Sequence, residues 1–390
     1  MSPPFPRELE DELWNAQPYE LLGAAEAVVR TLIGDPRAGV EVLLADYRRV
    51  SLVPAVSGGE PVPIDNTPAG RAFAAQEVMR EPPAVHIPLS VQGERVGVLS
   101  VRAAGDVDTA PGGGLAGAAA VLARALRLAD TGTDVFRRIR RRSRLTLAAE
   151  MMWDLLPGQA CETAEFRLAG QLEPAYAVWG DNFDWAVDRD RLVLTVSNGM
   201  GSGTESAALT QLAVNALRNA RRSGAGIADQ AALADQILYA HHRGTRHVAT
   251  LLMDYTPGTG RFEVVDAGSP RIFRMRDGAT EAVEFDAQLP LGMFGDVHYR
   301  TEEFGIERGD RLVIASDGVH GARSPGGERF GENALPRALR DTRLQKPAEA
   351  VRTLTRQFLA FHQDSEPVDD AVIVCLDRVG GGPVGAELLT

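Results

Sequence analysis

Apolar positions recur every three to four residues along 18–33, which predicts an amphipathic helix, and Val40–Tyr47 reads as a strand. After a helix-like stretch, AGRAFAAQEVM, the segment VHIPLSVQGERVGVLSVRA (residues 85–103) reads as two strands joined at Gln92-Gly93. A turn cluster, DTAPGGG (residues 108–114), precedes a helical run in which Leu115, Ala118, Leu122, Leu126 and Ala129 share a face. A second helical stretch carries the basic run Arg137, Arg138, Arg140, Arg141, Arg142 and Arg144 and continues through LTLAAEMMWDLLPG. Within it Leu145, Ala148, Met152 and Leu155 follow three- and four-residue steps, and Pro157-Gly158 ends the helix. From residue 160 onward strand-like runs recur, among them LVLTV, RLVI and AVIVCL, with a helix beginning near Thr204. Nothing repeats at a fixed period, which excludes a solenoid. The final GGGPVGAELLT reads as a loose tail.

Composition narrows the class. A chain of 390 residues with 44% hydrophobic and 24% charged side chains is an ordinary globular protein of two or three domains. Its 53 acidic and 41 basic residues leave a formal charge of −12, which argues against a general nucleic-acid or anionic-membrane binder. Cys161 and Cys375 form no CxxC pair, so neither a disulfide framework nor a zinc knuckle is expected. The opening MSPPFPRELEDELW lacks the pattern of a secretory signal. The apolar stretch Leu115–Leu128 is broken by Arg124 and Arg127 and is too short to span a bilayer. A cytoplasmic location is expected.

Acidic residues gather at the ends of the predicted strands of the second half. Gly180-Asp181-Asn182-Phe183-Asp184 is the first group, and Ser197-Asn198-Gly199-Met200-Gly201-Ser202-Gly203 follows the strand LVLTV. Ala315-Ser316-Asp317-Gly318 follows RLVI, and Asp369-Asp370 precedes AVIVCL. Hard oxygen ligands at strand ends, with glycine allowing close backbone approach, suit Mg²⁺ or Mn²⁺. Each group alone has a plainer reading, as a turn or a solvated edge. The glycine-rich stretch lacks the G-x-G-x-x-G spacing of a dinucleotide loop. Asn182 removes the second acid that a cyclic-dinucleotide synthase hairpin would need.

In this order and at these intervals, WGDNFD, SNGMGSGTESA, VVDAGSPRIFRM, IASDGVHGARSPGGERFG and VDDAVIVCL resemble one family. It is the metal-dependent protein phosphatases (PPM, or protein phosphatase 2C-like), in their bacterial SpoIIE-like branch. The resemblance spans residues 145–378, and LAAEMMWDLLPG looks like the helix that enters such a domain. It implies an αββα sandwich of two antiparallel sheets and a pair of Mn²⁺ or Mg²⁺ ions. Asp181 would bind one ion, Asp317 and Asp369 the other; Gly199 would offer its carbonyl oxygen, and position 198 would bridge the two. Asp370 stands where the family has a second acid, and Asp184 where it keeps a structural or outer-shell acid. In that chemistry a water held between ions ~4 Å apart attacks phosphoserine or phosphothreonine in line, without a protein nucleophile. The bridging position here is Asn198, which is neutral and poorly suited to joining two cations. Trp179 replaces the usual glycine. Two readings stay open: a weakened phosphatase, or a pseudophosphatase that regulates a partner without turnover.

The helix-and-hairpin pattern upstream resembles the sensory GAF module. The chain is therefore expected to be α/β (α+β), with a GAF-like sensor over 15–130, a helical linker over 131–158, the phosphatase-like domain over 159–378 and a flexible tail over 379–390. Family resemblance implies a phosphorylated regulatory protein as partner, such as an anti-sigma-factor antagonist. An unidentified small-molecule or protein signal is expected at the GAF-like domain. A second copy is expected through the linker helix, and neither nucleic acid nor membrane is. Other candidates read more simply: His86 as structural, His241, His242 and His247 as surface residues, Arg243 and Arg246 as solvated unless they meet a substrate phosphate. The arginine run reads as an exposed helix face, and Trp153 as core or dimer seam.

Overall fold

The computed structural model describes residues 5–56, 59–103, 114–142, 145–175, 178–268, 270–363 and 367–380. Residues 108–113 of the turn cluster and the tail beyond Gly380 lie outside these. The chain divides into two compact units, Met1–Arg144 and Leu145–Thr390.

The first unit comprises α1 (Arg7–Asn15), α2 (Leu21–Ile33), β1 (Gly39–Ala45), β2 (Ser51–Pro54), β3 (Val62–Pro63), α3 (Pro68–Ala75), β4 (Met79–Glu81), β5 (Ala84–Val91), β6 (Glu94–Arg102), α4 (Gly114–Ala129) and α5 (Val135–Arg140). Its sheet is antiparallel in the order β3-β2-β1-β6-β5-β4. The β5–β6 hairpin turns at Gln92 and Gly93, whose φ values of 50° and 90° are those a two-residue type I′ turn demands. Strand alternation sends Val85, Ile87 and Leu99 to one face, against Val28 and Val29 of α2 and Leu122 and Leu126 of α4. The other face, with Leu43, Leu52 and Val98, packs on Phe73 of α3. That helix starts at a Thr67 cap and stops at left-handed Gln76, so the helix expected through Met79 gives way to β4.

The long helix expected within 131–158 is broken into two. Phe136 of α5 joins the core of the first unit, and Arg141 then leaves helical backbone. A fresh helix, α6 (Leu147–Leu155), begins where the Thr146 hydroxyl accepts the Ala149 N–H at 3.2 Å. Like charges three and four residues apart oppose a helix through the arginine run. Arg140 is not a solvated face residue: it donates to the Ala45 carbonyl and lies over the Tyr47 ring.

The second unit continues with β7 (Ala160–Glu162), β8 (Phe166–Glu173), β9 (Asp181–Val187), β10 (Leu192–Gly199), α7 (Gly203–Arg222), α8 (Ile227–His242), β11 (Val248–Thr256), β12 (Arg261–Ala267), β13 (Arg271–Arg276), β14 (Ala279–Val283), β15 (Glu302–Gly305), β16 (Arg311–Ala315), α9 (Asp317–His320), α10 (Leu335–Asp341), α11 (Pro347–Phe361) and β17 (Ala371–Arg378). One antiparallel sheet runs β15-β12-β11-β10-β9 and the other β14-β13-β16-β17-β8-β7. They pack face to face. Phe166 meets Tyr255 edge-on at 5.9 Å, and a Cβ at Gly170 would come within 2.8 Å of the Phe183 ring. Leu209, Leu217 and Leu238 of α7 and α8 cover Val193, Leu252 and Val265 of the first sheet. Leu335, Leu354 and Phe358 of α10 and α11 cover Val313, Ile373 and Cys375 of the second. This is the αββα sandwich that the resemblance implied. Among the described residues no helix is long and apolar enough to cross a membrane.

The stripe on α6 is buried inside this unit. Ala148, Met152 and Leu155 are covered without a second copy of the chain, and Trp153 packs with them. Of the two partners open to that stripe, the phosphatase-like core is the one it meets.

Candidate metal centre

Antiparallel pairing brings the beginning of β9, the end of β10, the end of β16 and the beginning of β17 to one rim of the sandwich. Asp181 and Asn198 are direct cross-strand partners, so their side chains project on the same side. Asp317 follows β16, and Asp369 and Asp370 lead into β17, which pairs with β16. The four acids expected at the site therefore lie along one rim, but they are used differently.

Asp181 is fully buried, and neither carboxylate oxygen has a hydrogen-bond partner. Burial pushes its pKa well above the ordinary carboxylate range, and the charges of Asp370, Asp369 and Asp317 push it the same way. The Ser316 hydroxyl pulls weakly in the opposite direction without reaching bonding geometry. Asp369 is raised to about 7, by burial first and then by Asp317 and Asp370. Its Oδ1 accepts the Asp370 N–H at 2.8 Å.

Asp370 is a backbone clamp. Its Oδ1 accepts the Ala175 N–H at 2.8 Å; its Oδ2 accepts those of Trp179, Gly180 and Asp181 at 2.7, 2.8 and 3.3 Å. It shapes the turn that presents Asp181, and both its oxygens are spent on that turn. Asp184 points to the helix side of β9, where Arg218 and Arg221 of α7 bind it at 2.7 and 3.0 Å. It anchors α7, consistent with a structural acid.

Asn198 and Asp317 are bonded to each other: the Asn198 Nδ2 amide donates to Asp317 Oδ1, which also accepts the Gly318 N–H at 3.1 Å. The amide orientation follows from its partner, because turning it over would set two oxygens against one another. Among the described residues no three His, Cys, Asp or Glu side chains converge as a metal cage. Four N–H groups occupy Asp370, and the Asn198 amide and the Gly318 N–H occupy Asp317 Oδ1, whereas both oxygens of Asp181 and the Oδ2 atoms of Asp369 and Asp317 keep acceptor capacity.

The surrounding glycines are packed against α7. A Cβ at Gly180 would lie 2.3 Å from Ser206 Oγ, and one at Gly199 2.2 Å from Thr210 Oγ1. Thr210 donates to the Gly180 carbonyl at 2.6 Å. The Ser206 hydroxyl lies 2.7 Å from the Trp179 carbonyl and 3.0 Å from that of Gly199. It has one proton for the two, so the Gly199 oxygen retains acceptor capacity. At Gly318 a Cβ would strike the Asp370 carbonyl at 1.9 Å.

Ser206 and Thr210 escaped sequence reasoning, although two hydroxyls four residues apart on an Ala- and Leu-rich helix were a usable signal. Asn182 escaped too: it donates to the Met152 carbonyl of α6 at 3.2 Å, next in sequence to Asp181. The histidines do not converge. His241 is exposed and contacts the Ile237 carbonyl, while the His247 backbone carbonyl accepts the Met200 N–H. Arg246 pairs with Glu205 at 2.6 Å beside Gly201. His86 is buried in β5, and burial lowers its pKa.

Facing antiparallel sheets between helices, with acidic strand ends on one rim, define a protein phosphatase 2C-type domain. Residues 188–379 match the family model of stage II sporulation protein E (SpoIIE), and this unit belongs to that family. The chain is 20% identical over 239 residues to the phosphoserine phosphatase RsbU of Bacillus subtilis, covering 61% of this chain and 70% of RsbU. Solved structures similar to it include the RsbU and RsbW domains of a Mycobacterium tuberculosis protein, at 22% identity and a TM-score of 0.49. That match covers 58% of this chain and 63% of the other, under two thirds of its length. Another is the phosphatase domain of SpoIIE from Bacillus subtilis with a fragment of its regulatory domain, at 17% identity and a TM-score of 0.49. It covers 55% of this chain and 64% of the other.

Proposed function

We propose that the protein is a metal-dependent serine/threonine phosphatase acting on a phosphorylated regulatory protein in the cytoplasm, under control of its N-terminal unit. The observation that carries this reading is the wholly buried Asp181, with two unpartnered oxygens, facing Asp369 across the rim of a SpoIIE-family domain. A buried carboxylate without a donor is costly, and a hard divalent cation is the partner that offsets the cost. Bound there, Mn²⁺ or Mg²⁺ would supply an acidic water and neutralise charge on the phosphoryl group. The chain's own residues do the positioning. Asp370 holds the turn that aims Asp181, Thr210 and Ser206 fix the glycine carbonyls, and Gly318 lets β17 approach Asp317.

RsbU is named a phosphoserine phosphatase, which supports phosphoserine on a small protein, such as an anti-sigma-factor antagonist, as the substrate class. A GAF-like reading of the first unit is supported by its β3-β2-β1-β6-β5-β4 antiparallel sheet between helices. The second reading, a binding module without turnover, is favoured by the Asn198–Asp317 bond.

The test is release of phosphate from phosphoserine and phosphothreonine peptides by the full chain, with and without Mn²⁺. Hydrolysis that requires the metal and is lost in Asp369→Asn is expected. No release from any phosphopeptide at saturating Mn²⁺ would leave the binding-module reading. In that event Asn198→Asp should restore hydrolysis; even ten-fold corresponds to only ~1.4 kcal/mol of barrier.

A further inference from the structure

We propose that this centre takes one divalent cation rather than two, held by Asp181 and Asp369. The neutral Asn198 amide stands where two cations would need a shared anion, and it donates to Asp317 Oδ1. The proposal rests on the metal-dependent reading of the site, and it concerns ion number, not turnover.

Three observations converge. Asp181 carries two buried oxygens with nothing bonded to them, and Asp369 uses only Oδ1 on the neighbouring N–H. Asp317 Oδ1 takes two donors, the Asn198 amide and the Gly318 N–H. Asp370 has no capacity left after four backbone N–H groups. Two carboxylates with coordinated water suffice for Mg²⁺, which dehydrates reluctantly and is often held by one or two acids. Two adjacent divalent ions repel strongly and need a shared anion, and a neutral amide is none. An N–H pointed at Asp317 does for that carboxylate what the second ion would do. It satisfies the oxygen while adding no charge, so no bridging carboxylate is required. The reading places the ion on the Asp181 side. The family resemblance instead implies Asp181 on one ion and Asp317 with Asp369 on the other.

Mn²⁺ titration of the full chain by calorimetry, with the spin-resonance spectrum of the loaded protein, decides the matter. One ion per chain with an isolated Mn²⁺ spectrum is expected, and Asp181→Asn should abolish it. Asn198→Asp should raise the count to two and produce a spin-coupled pair. Two ions in the unaltered chain, none, or one that survives Asp181→Asn would each overturn the proposal. Melting curves of the metal-free variants check that both are folded before titration. Should one ion bind and phosphopeptides stay intact, the phosphatase reading fails and this inference stands; two ions with turnover reverses that outcome.

Discussion

Asp181 is fully buried and neither of its oxygens has an N–H or O–H bonded to it, a situation that costs roughly 1–3 kcal/mol or more per group. An acid whose pKa is raised on folding binds more protons in the folded than in the unfolded state between the two values. For Asp369 that window runs from about 4 to about 7, and Asp181 acts in the same direction. The acid cluster therefore leaves the metal-free protein most stable below the window and weakens it as the pH rises through 7. Asp181→Asn should melt higher than the unaltered chain at pH 7.5 in chelator, and the gap should close towards pH 5. A gap independent of pH would show that charge is not the cause. That these acids gather at one rim was legible in the sequence because strand ends, glycines and spacing mark them. The role of Asp370 was not. Adjacent acids look alike in a sequence, and its partners, Ala175 to Asp181, are some 190 positions away.

Among elements, α6 is tied to the sandwich by more than its apolar stripe. Arg218 of α7 donates to the Leu155 carbonyl and to Asp184, and Asn182 holds the Met152 carbonyl. A shift of α6 would pull on the residue beside Asp181. Met152 is fully buried, so Met152→Asp places a charge where no water reaches, a change costing several kcal/mol. We expect it to release α6, read as loss of amide-exchange protection over 147–155, while residues 160–378 keep theirs. Mn²⁺ affinity should fall with it. Retained protection of α6 would show that the helix tolerates the charge in place. The β5–β6 hairpin could be read from its turn residues because turn chemistry is local. The break between α5 and α6 could not, since arginine is a good helix former and only the Thr146 cap marks the restart.

At the scale of the molecule, each unit owns its core: one around Leu122 and Leu99, the others either side of the facing sheets. A fragment of residues 145–380 should fold alone with a single cooperative melting transition and bind Mn²⁺ as the full chain does. A fragment that expresses only as aggregate would show that the first unit supplies part of its stability. The sandwich was legible through its family motifs. Its register was not, because strand pairing joins segments far apart, such as β8 and β17. That same pairing has a consequence for synthesis on the ribosome. Strand β17 lies in the middle of its sheet, yet it is made after every other described strand, and Asp370 at its head closes the turn that carries Asp181. At about 5–20 residues per second, roughly 10–40 s separate the emergence of Ala175 from that of Asp370. Throughout that interval the nascent chain displays Asp181 on an unshaped turn, with an open sheet edge on β8 where β17 has yet to pair. Translation order therefore delays completion of this rim until residue 370, and a chain halted before that point lacks the clamp on the turn that carries Asp181.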